Sequence, residues 1–340
     1  MKKLDEKDII NLIYSRLFKT KSIFNNRDDI SILSLKMNNI IAFTNDMLVE
    51  STDVPSGMKP WQISRKSIVS SVSDMTAKGI RSPYYCLISL GVPNNWSKQK
   101  ITNLIDGFEK SSKEFNIIFL GGDTNESKEL IIDCILIGFS NNICKIPQRN
   151  NASPGDVVVT SGKFGYTAAG LKILLNKIKS NSNHFRKKAI SKVLTPSPNQ
   201  KFGTILSDLF SSSIDSSDGL GASLYTIAKQ SKIDVLIDSL PVSNDLCSFV
   251  SENNIDLLEL IFNGGEEYEI VATIPQNLLD TARSRAKKNN IDFLEIGKII
   301  SGEGNVFVRE TNILGNQKVT SNKYPDYFLL NYMGYSHFSH

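Results

Sequence analysis

The sequence predicts a mixed α/β protein (α+β) built as two domains, and three observations carry that reading. Apolar runs of strand character alternate along the chain with segments whose apolar residues recur every three to four positions. With 340 residues, 40% of them hydrophobic, the chain can bury two ordinary cores. Between two strand-like runs lies KIPQRNNASPGD (145–156), whose proline, glycine, asparagine and serine read as a boundary. The expected domains are therefore 1–148 and 149–340.

In order, MKKLDEKDIINLIYSRLF opens the chain, and its mixed charged and apolar pattern predicts an amphipathic helix over 4–18. Strands follow at 29–35 and 40–44, then a helix over 61–78 with Ile68, Val72 and Met75 as its apolar stripe. A strand at 84–91, a helix over 97–115 and strands at 116–120 and 130–139 complete the first half. The second half reads as a strand at 156–162, helices over 165–177 and 199–210, and a short strand at 212–214. A helix over 219–231 follows, on Leu220, Leu224, Ile227 and Ala228, then a strand at 232–238 and a helix over 244–262. A strand at 268–274, a helix over 276–289 and a strand at 293–299 end the series. No period of about 20–50 residues recurs, which excludes solenoids and propellers.

Composition excludes several functions. Lys and Arg exceed Asp and Glu by 39 to 35, a surplus too small and too dispersed for a nucleic-acid surface. The charged N-terminus does not read as a signal peptide, and no apolar run is long enough to span a bilayer, so a cytoplasmic location is expected. Cys86, Cys134, Cys144 and Cys247 form no CxxC pair, and His184, His337 and His340 offer no metal spacing; His184 reads as part of a polar linker. GDVVVTSGK (155–163) has the wrong spacing for a P-loop, with Phe164 where Ser or Thr is needed. GKFGYTAAG (162–170) is a strand-to-helix turn explained equally by phosphate binding or by tight packing, and no site is placed there.

The acids keep unusual company. Asp29 opens a strand; Asp46 is expected just beyond a strand end beside Thr44 and Asn45; Asp123 follows a strand and two glycines. Asp215 and Asp218 fall at a strand-to-helix junction in SSIDSSDGLG (212–221), and Asp74 shares a helix face with Ser67, Ser70 and Ser71. Each has a bland alternative, as a turn residue, an exposed helix position or, for Ser217 and Asp218, a helix cap. Their recurrence suggests one shared cleft. Carboxylates gathered together repel unless protonated or bridged by cations, and an all-oxygen set suits Mg2+ held between protein and substrate phosphates.

The series DD at 28, TND at 44, SVSDMTAKG at 71, GGDT at 121, DSSDGL at 215, NGGEEYEI at 263 and GYSHF at 334 resembles the thiamine-monophosphate kinases over nearly the whole chain. The resemblance implies an aminoimidazole ribonucleotide synthase-like architecture, with a dimerising N-terminal sheet domain and a C-terminal α/β domain completing an active-site cleft. It implies a homodimer that transfers the ATP γ-phosphoryl group directly to thiamine phosphate. No covalent intermediate and no general base are required. Several Mg2+ ions would lie on Asp29, Thr44, Asn45, Asp46, Asp74, Asp123, Asp215 and Asp218. The nucleotide would lie on Gly122, Asp123, Arg149 and Ser217, and the substrate on Asp53, Glu266 and Tyr335. Asn45, Asp53 and Glu267 depart from the usual family residues, Asp53 standing where a histidine is common. The alternatives are another ATP-dependent enzyme of the superfamily with a different substrate, and a non-catalytic nucleotide-binding homologue.

Overall fold

The computed structural model describes residues 28–35, 39–142, 146–310, 324–331 and 334. The helix expected over 4–18, Cys144, Tyr335, His337 and His340 lie outside the described residues. The first sheet comprises β1 (Ser31–Ser34), β2 (Ile40–Val49), β3 (Arg81–Val92), β4 (Ile117–Glu126) and β5 (Ile131–Ser140), in the order β1-β2-β5-β3-β4. All neighbours are antiparallel except β3 and β4, which run parallel because a helix, α3 (Lys98–Phe115), crosses between them. A short turn, α1 (Glu50–Asp53), leads towards the long helix α2 (Pro60–Ala77), which has proline at its first position.

Helices α2 and α3 cover one face of this sheet. Alternation along the strands sends Ala42, Thr44, Leu48, Ile132, Cys134 and Leu136 to that face, where they meet Ile68, Val72 and Met75. Helix α3 contributes Leu104, Phe108 and Phe115 at helical spacing and is capped by Ser97, whose Oγ accepts from the Lys100 amide. Glycine lets α2 and α3 approach closely: a Cβ on Gly107 would lie 2.1 Å from Ser64 Oγ and 2.2 Å from the Trp61 carbonyl. The opposite face exposes Leu33, Met47, Leu87 and Phe139.

The second sheet has seven strands: β6 (Val157–Thr160), β7 (Ser212–Asp215), β8 (Ile233–Ile237), β9 (Ile270–Ile274), β10 (Leu294–Ser301), β11 (Val306–Arg309) and β12 (Tyr327–Leu329). Their order is β12-β11-β8-β10-β6-β9-β7. One face is covered by α4 (Tyr166–Leu174), α5 (Asn183–Leu194), α7 (Leu220–Ser231), α8 (Asn244–Asn253) and α9 (Leu257–Phe262). On the other face α6 (Gln200–Leu206) and α10 (Leu279–Lys288) pack with Ala77 from the end of α2, so α2 belongs to both halves.

Several expectations are corrected. Strand β2 runs through Thr44–Asp46 to Val49, and β4 runs through the GGDT stretch to Glu126, so neither acid follows a strand end. Ladder hydrogen bonds to β5 and β3 carry these polar residues within the strands. The segment expected as one helix over 244–262 is two, α8 and α9, broken where Asn254 adopts a left-handed φ of 49°. His184 lies on α5, a helix absent from the sequence reading, and not in a linker. Strands β11 and β12 were likewise not anticipated.

Gly107→Ala forces backbone and side-chain atoms apart at the α2–α3 contact. It is expected to destabilise the protein by about 1–3 kcal/mol, read as a lower denaturant midpoint.

Candidate functional site

The acids meet where α2 passes between the two sheets. Asp74 on α2, Asp215 at the end of β7 and Asp29 just before β1 each place a carboxylate oxygen within 4.8 Å of the others. Asp46, on β2, joins them through α2: Ser71 Oγ donates to Asp46 Oδ2 at 2.8 Å, and Thr44 Oγ1 donates to Asp74 Oδ2. Ser73 Oγ donates to Asp215 Oδ2 at 3.0 Å. The small polar face of α2 is therefore mostly interior, and its hydroxyls hold the carboxylates of neighbouring strands.

Two cations sit against this cluster. The ammonium of Lys78 is fully buried, 2.6 Å from Asp28 Oδ1 and 2.8 Å from Asp29 Oδ2, and it also donates to the Ser213 carbonyl at 2.6 Å. Arg149 pairs with Asp29 Oδ1 through its guanidinium, and its backbone amide donates to Asp28 Oδ2 at 3.0 Å. Positive charge is still outnumbered. Burial, reinforced by repulsion from Asp215 and Asp133, pushes the Asp46 carboxyl up to about 6. Burial and the charges of Asp46 and Asp215 raise Asp74 well above the carboxylate range. Asp215 is raised by burial against the opposing pull of Arg149, Ser73 and Lys78. A set of oxygen donors this close, with too few resident cations, fits a hard divalent ion.

Beside the acids, Lys66 ties two more of the expected residues together. Its buried ammonium lies 2.5 Å from Glu266 Oε1 and donates to the Asp53 carbonyl at 2.5 Å. The Asp53 carboxylate caps its own turn, accepting from the Val49 amide at 2.7 Å. Glu266 and Tyr268 hold left-handed φ values of 63° and 53°, each costing about 1–3 kcal/mol. Hydrogen bonds from their amides to the Ser217 and Ser216 carbonyls, at 2.6 and 3.0 Å, hold them there. Burial and the charges of Glu266, Asp46, Asp215 and Asp53 raise the Tyr268 phenol well above its usual value, which keeps it protonated among the acids.

Other expected residues stand apart. Asn45 projects from the opposite side of β2, where its side chain hydrogen-bonds Asp133 and Asp133 Oδ1 is left buried without a hydrogen bond. Gly122 lies in the same cross-sheet row as Asp46, through Cys134 and Ile88, but three strands away, about 14 Å. Asp123 is exposed on edge strand β4, its carboxylate accepting from the Thr124 amide at 2.8 Å. Ser217 and Asp218 are exposed in the bend between β7 and α7. Gly334, which precedes Tyr335, donates to Asn263 Oδ1 at 3.1 Å and abuts the Asp218 carbonyl and Ala222.

Sequence reasoning assigned no role to Lys66, Lys78, Asp133 and Tyr268. One signal was available for the lysines: Lys66, Ser70, Asp74 and Lys78 recur every four residues on α2. The turn in GKFGYTAAG has its own explanation. Glu267 Oε1 accepts the Thr167 amide at 3.0 Å, so the chain's own carboxylate occupies the start of α4.

A carboxyl whose pKa is higher in the folded than in the unfolded chain favours folding when protonated. That contribution is complete below about 4 and is lost as pH rises through the folded value. The chelator-treated protein should accordingly lose thermal stability as pH rises through about 6, the value for Asp46, and added Mg2+ should restore it at neutral pH. A melting curve independent of both pH and Mg2+ would contradict the clustered-acid geometry.

Comparison with known proteins bears on this site. Residues 27–140 match the family model for the AIR synthase related protein, N-terminal domain. The thiamine-monophosphate kinase of Nitrosopumilus maritimus is 42% identical over 310 residues, covering 91% of this chain and 95% of that protein. That of Pyrococcus horikoshii is 34% identical, covering 78% and 81%. The structure of AaThiL complexed with AMPPCP and TMP superposes with a TM-score of 0.79 at 26% identity, covering 94% of this chain and 98% of that one. The chain is a member of the thiamine-monophosphate kinase family.

Proposed function

We propose that the protein transfers the γ-phosphoryl group of ATP directly to thiamine phosphate, giving thiamine diphosphate and ADP, in a Mg2+-dependent reaction. The observation that carries this reading is the convergence of Asp29, Asp74 and Asp215 within 4.8 Å, with Asp46 tied to the same helix, in a chain of this family. Asp29, Thr44, Asp46, Asp74 and Asp215 would hold the metal from within the cluster and Asp218 from its margin, while Asn45, on the opposite side of β2, and Asp123, on edge strand β4, stand away from that ion. Bound there, Mg2+ would neutralise phosphate charge and align the reacting oxygens.

The chain's own groups do the rest. Arg149, already at the edge of the cluster, offers a planar fork of donors suited to phosphate oxygens, with Gly122, Asp123 and Ser217 as further nucleotide contacts. Lys66 fixes Glu266 beside Asp53, presenting a polar wall to the phosphate acceptor, with Tyr335 as a third contact. The acceptor phosphate is already an anionic nucleophile, so the site needs no base. We further propose that the domains divide near residue 149, that the exposed apolar face of the first sheet, with Leu33, Met47, Leu87 and Phe139, pairs two copies as a homodimer, and that the enzyme works in the cytoplasm. Among the described residues no helix is long and apolar enough to cross a membrane.

Incubation with Mg2+, ATP and thiamine phosphate should yield thiamine diphosphate and ADP by chromatography, while omission of Mg2+ or of thiamine phosphate should not. Absence of product in the complete mixture would overturn the assignment. Asp46→Asn and Asp218→Asn should each lower kcat by about 100-fold or more with the melting temperature little changed, because each removes an ion contact and not a core contact. Full activity in both variants would remove the acids from the mechanism.

A further inference from the structure

On the side of the Glu266–Ile270 segment away from the acids lies a second cleft, of about 480 Å3, with the opposite charge. Lys163 follows β6, Lys188 and Lys192 project one turn apart from α5, and Lys201 lies on α6. Facing these four lysines on the lining are two carboxylates, those of Glu269 and Asp292. Asp245 also faces Lys188, so the excess of positive charge rests with Lys163 and Lys201.

Glu269 supplies a buried floor to the cleft. Glu269 is 6% exposed, accepts from Ser161 Oγ at 2.6 Å and pairs with Lys192 at 3.2 Å. Lys188 donates to Tyr166 Oη at 2.5 Å and lies 3.6 Å from Asp245 Oδ2. Two lysines are thus oriented by the protein itself. Lys163 and Lys201, at the mouth, make no ion pair among the described residues. The start of α4 contributes nothing here, since Glu267 occupies it.

We propose that this cleft is an anion site, distinct from the acidic cluster, that takes a small ligand of the phosphate or diphosphate class. Lys188 and Lys192 form one wall, and Lys163 and Lys201 close on the ligand from the rim. The site stands on its own geometry and not on the phosphotransfer reading.

Calorimetric titration of the purified full chain with inorganic pyrophosphate in EDTA tests the inference, because without divalent ions the acidic cluster repels that anion. Saturable binding is expected, weakened roughly tenfold or more in the double variant Lys163→Ala/Lys201→Ala and retained in Asp46→Asn. The double variant should keep its melting temperature, since both side chains lie at the surface. No saturable heat in the wild type, or equal affinity in the double variant, would overturn the proposal. Loss of binding in Asp46→Asn would place the anion in the acidic cluster and overturn it as well.

Discussion

The constraint on which the rest depends is the mutual repulsion of buried carboxylates. Two unit charges 4.8 Å apart, as in the Asp29, Asp74 and Asp215 set, repel by about 3.5 kcal/mol at an effective dielectric constant near 20. Three such pairs, with Asp46 close by, outweigh most single favourable contacts in a domain. The chain answers with two resident cations, Lys78 and Arg149, and with hydroxyls from Ser71, Ser73 and Thr44. These offset only part of the charge, and the carboxyls stay raised. The remaining imbalance is of the kind that a divalent ion would relieve.

Helix α2 is the part of the fold that makes this possible. It is buried along nearly its whole length, between the first sheet on one side and β7 with α6 on the other. Such a helix would ordinarily be apolar all round. This one carries serines, because each buried hydroxyl has an acid or a carbonyl to meet: Ser64 donates to Leu104, Ser71 to Asp46 and Ser73 to Asp215. Lys78 then joins the end of the helix to Ser213 on β7 and to Asp28 and Asp29 before β1. One side chain thereby sets the spacing of elements that carry three of the clustered acids.

This arrangement explains what could be read from the chain. The alternation of strand and helix was legible because most elements are amphipathic or uniformly apolar, as in β9 and α7. Asp46, Asp74 and Asp215 were legible as a group because acids recur beside small residues. The extents of β2 and β4 were not, since Thr44–Asp46 and Gly121–Thr124 are polar within a strand, and polarity reads locally as a strand end. Helix α5 was missed because half of it faces solvent and only Phe185, Ala189 and Val193 mark its buried side. Buried lysines carry little local signal beyond the four-residue spacing of Lys66, Ser70, Asp74 and Lys78. Lys66 and Lys78 are interior only because Glu266 and Asp28, distant in sequence, are folded against them.

The segment Gly264–Glu269 shows how one short stretch serves two environments. Glu266 turns towards Lys66 and Asp53, and Tyr268 towards the acids, each in a left-handed conformation. Glu267 and Glu269 turn the other way, to the start of α4 and to Ser161 and Lys192. Burial pushes Glu267 up to about 7, opposed by the Thr167 amide and the Lys192 charge. Sending alternate residues to opposite sides is what an extended chain does, and this segment keeps that alternation even though Glu266 and Tyr268 hold positive φ angles. Strand β9 begins at Ile270, once the chain has passed from the acidic cluster into the second sheet.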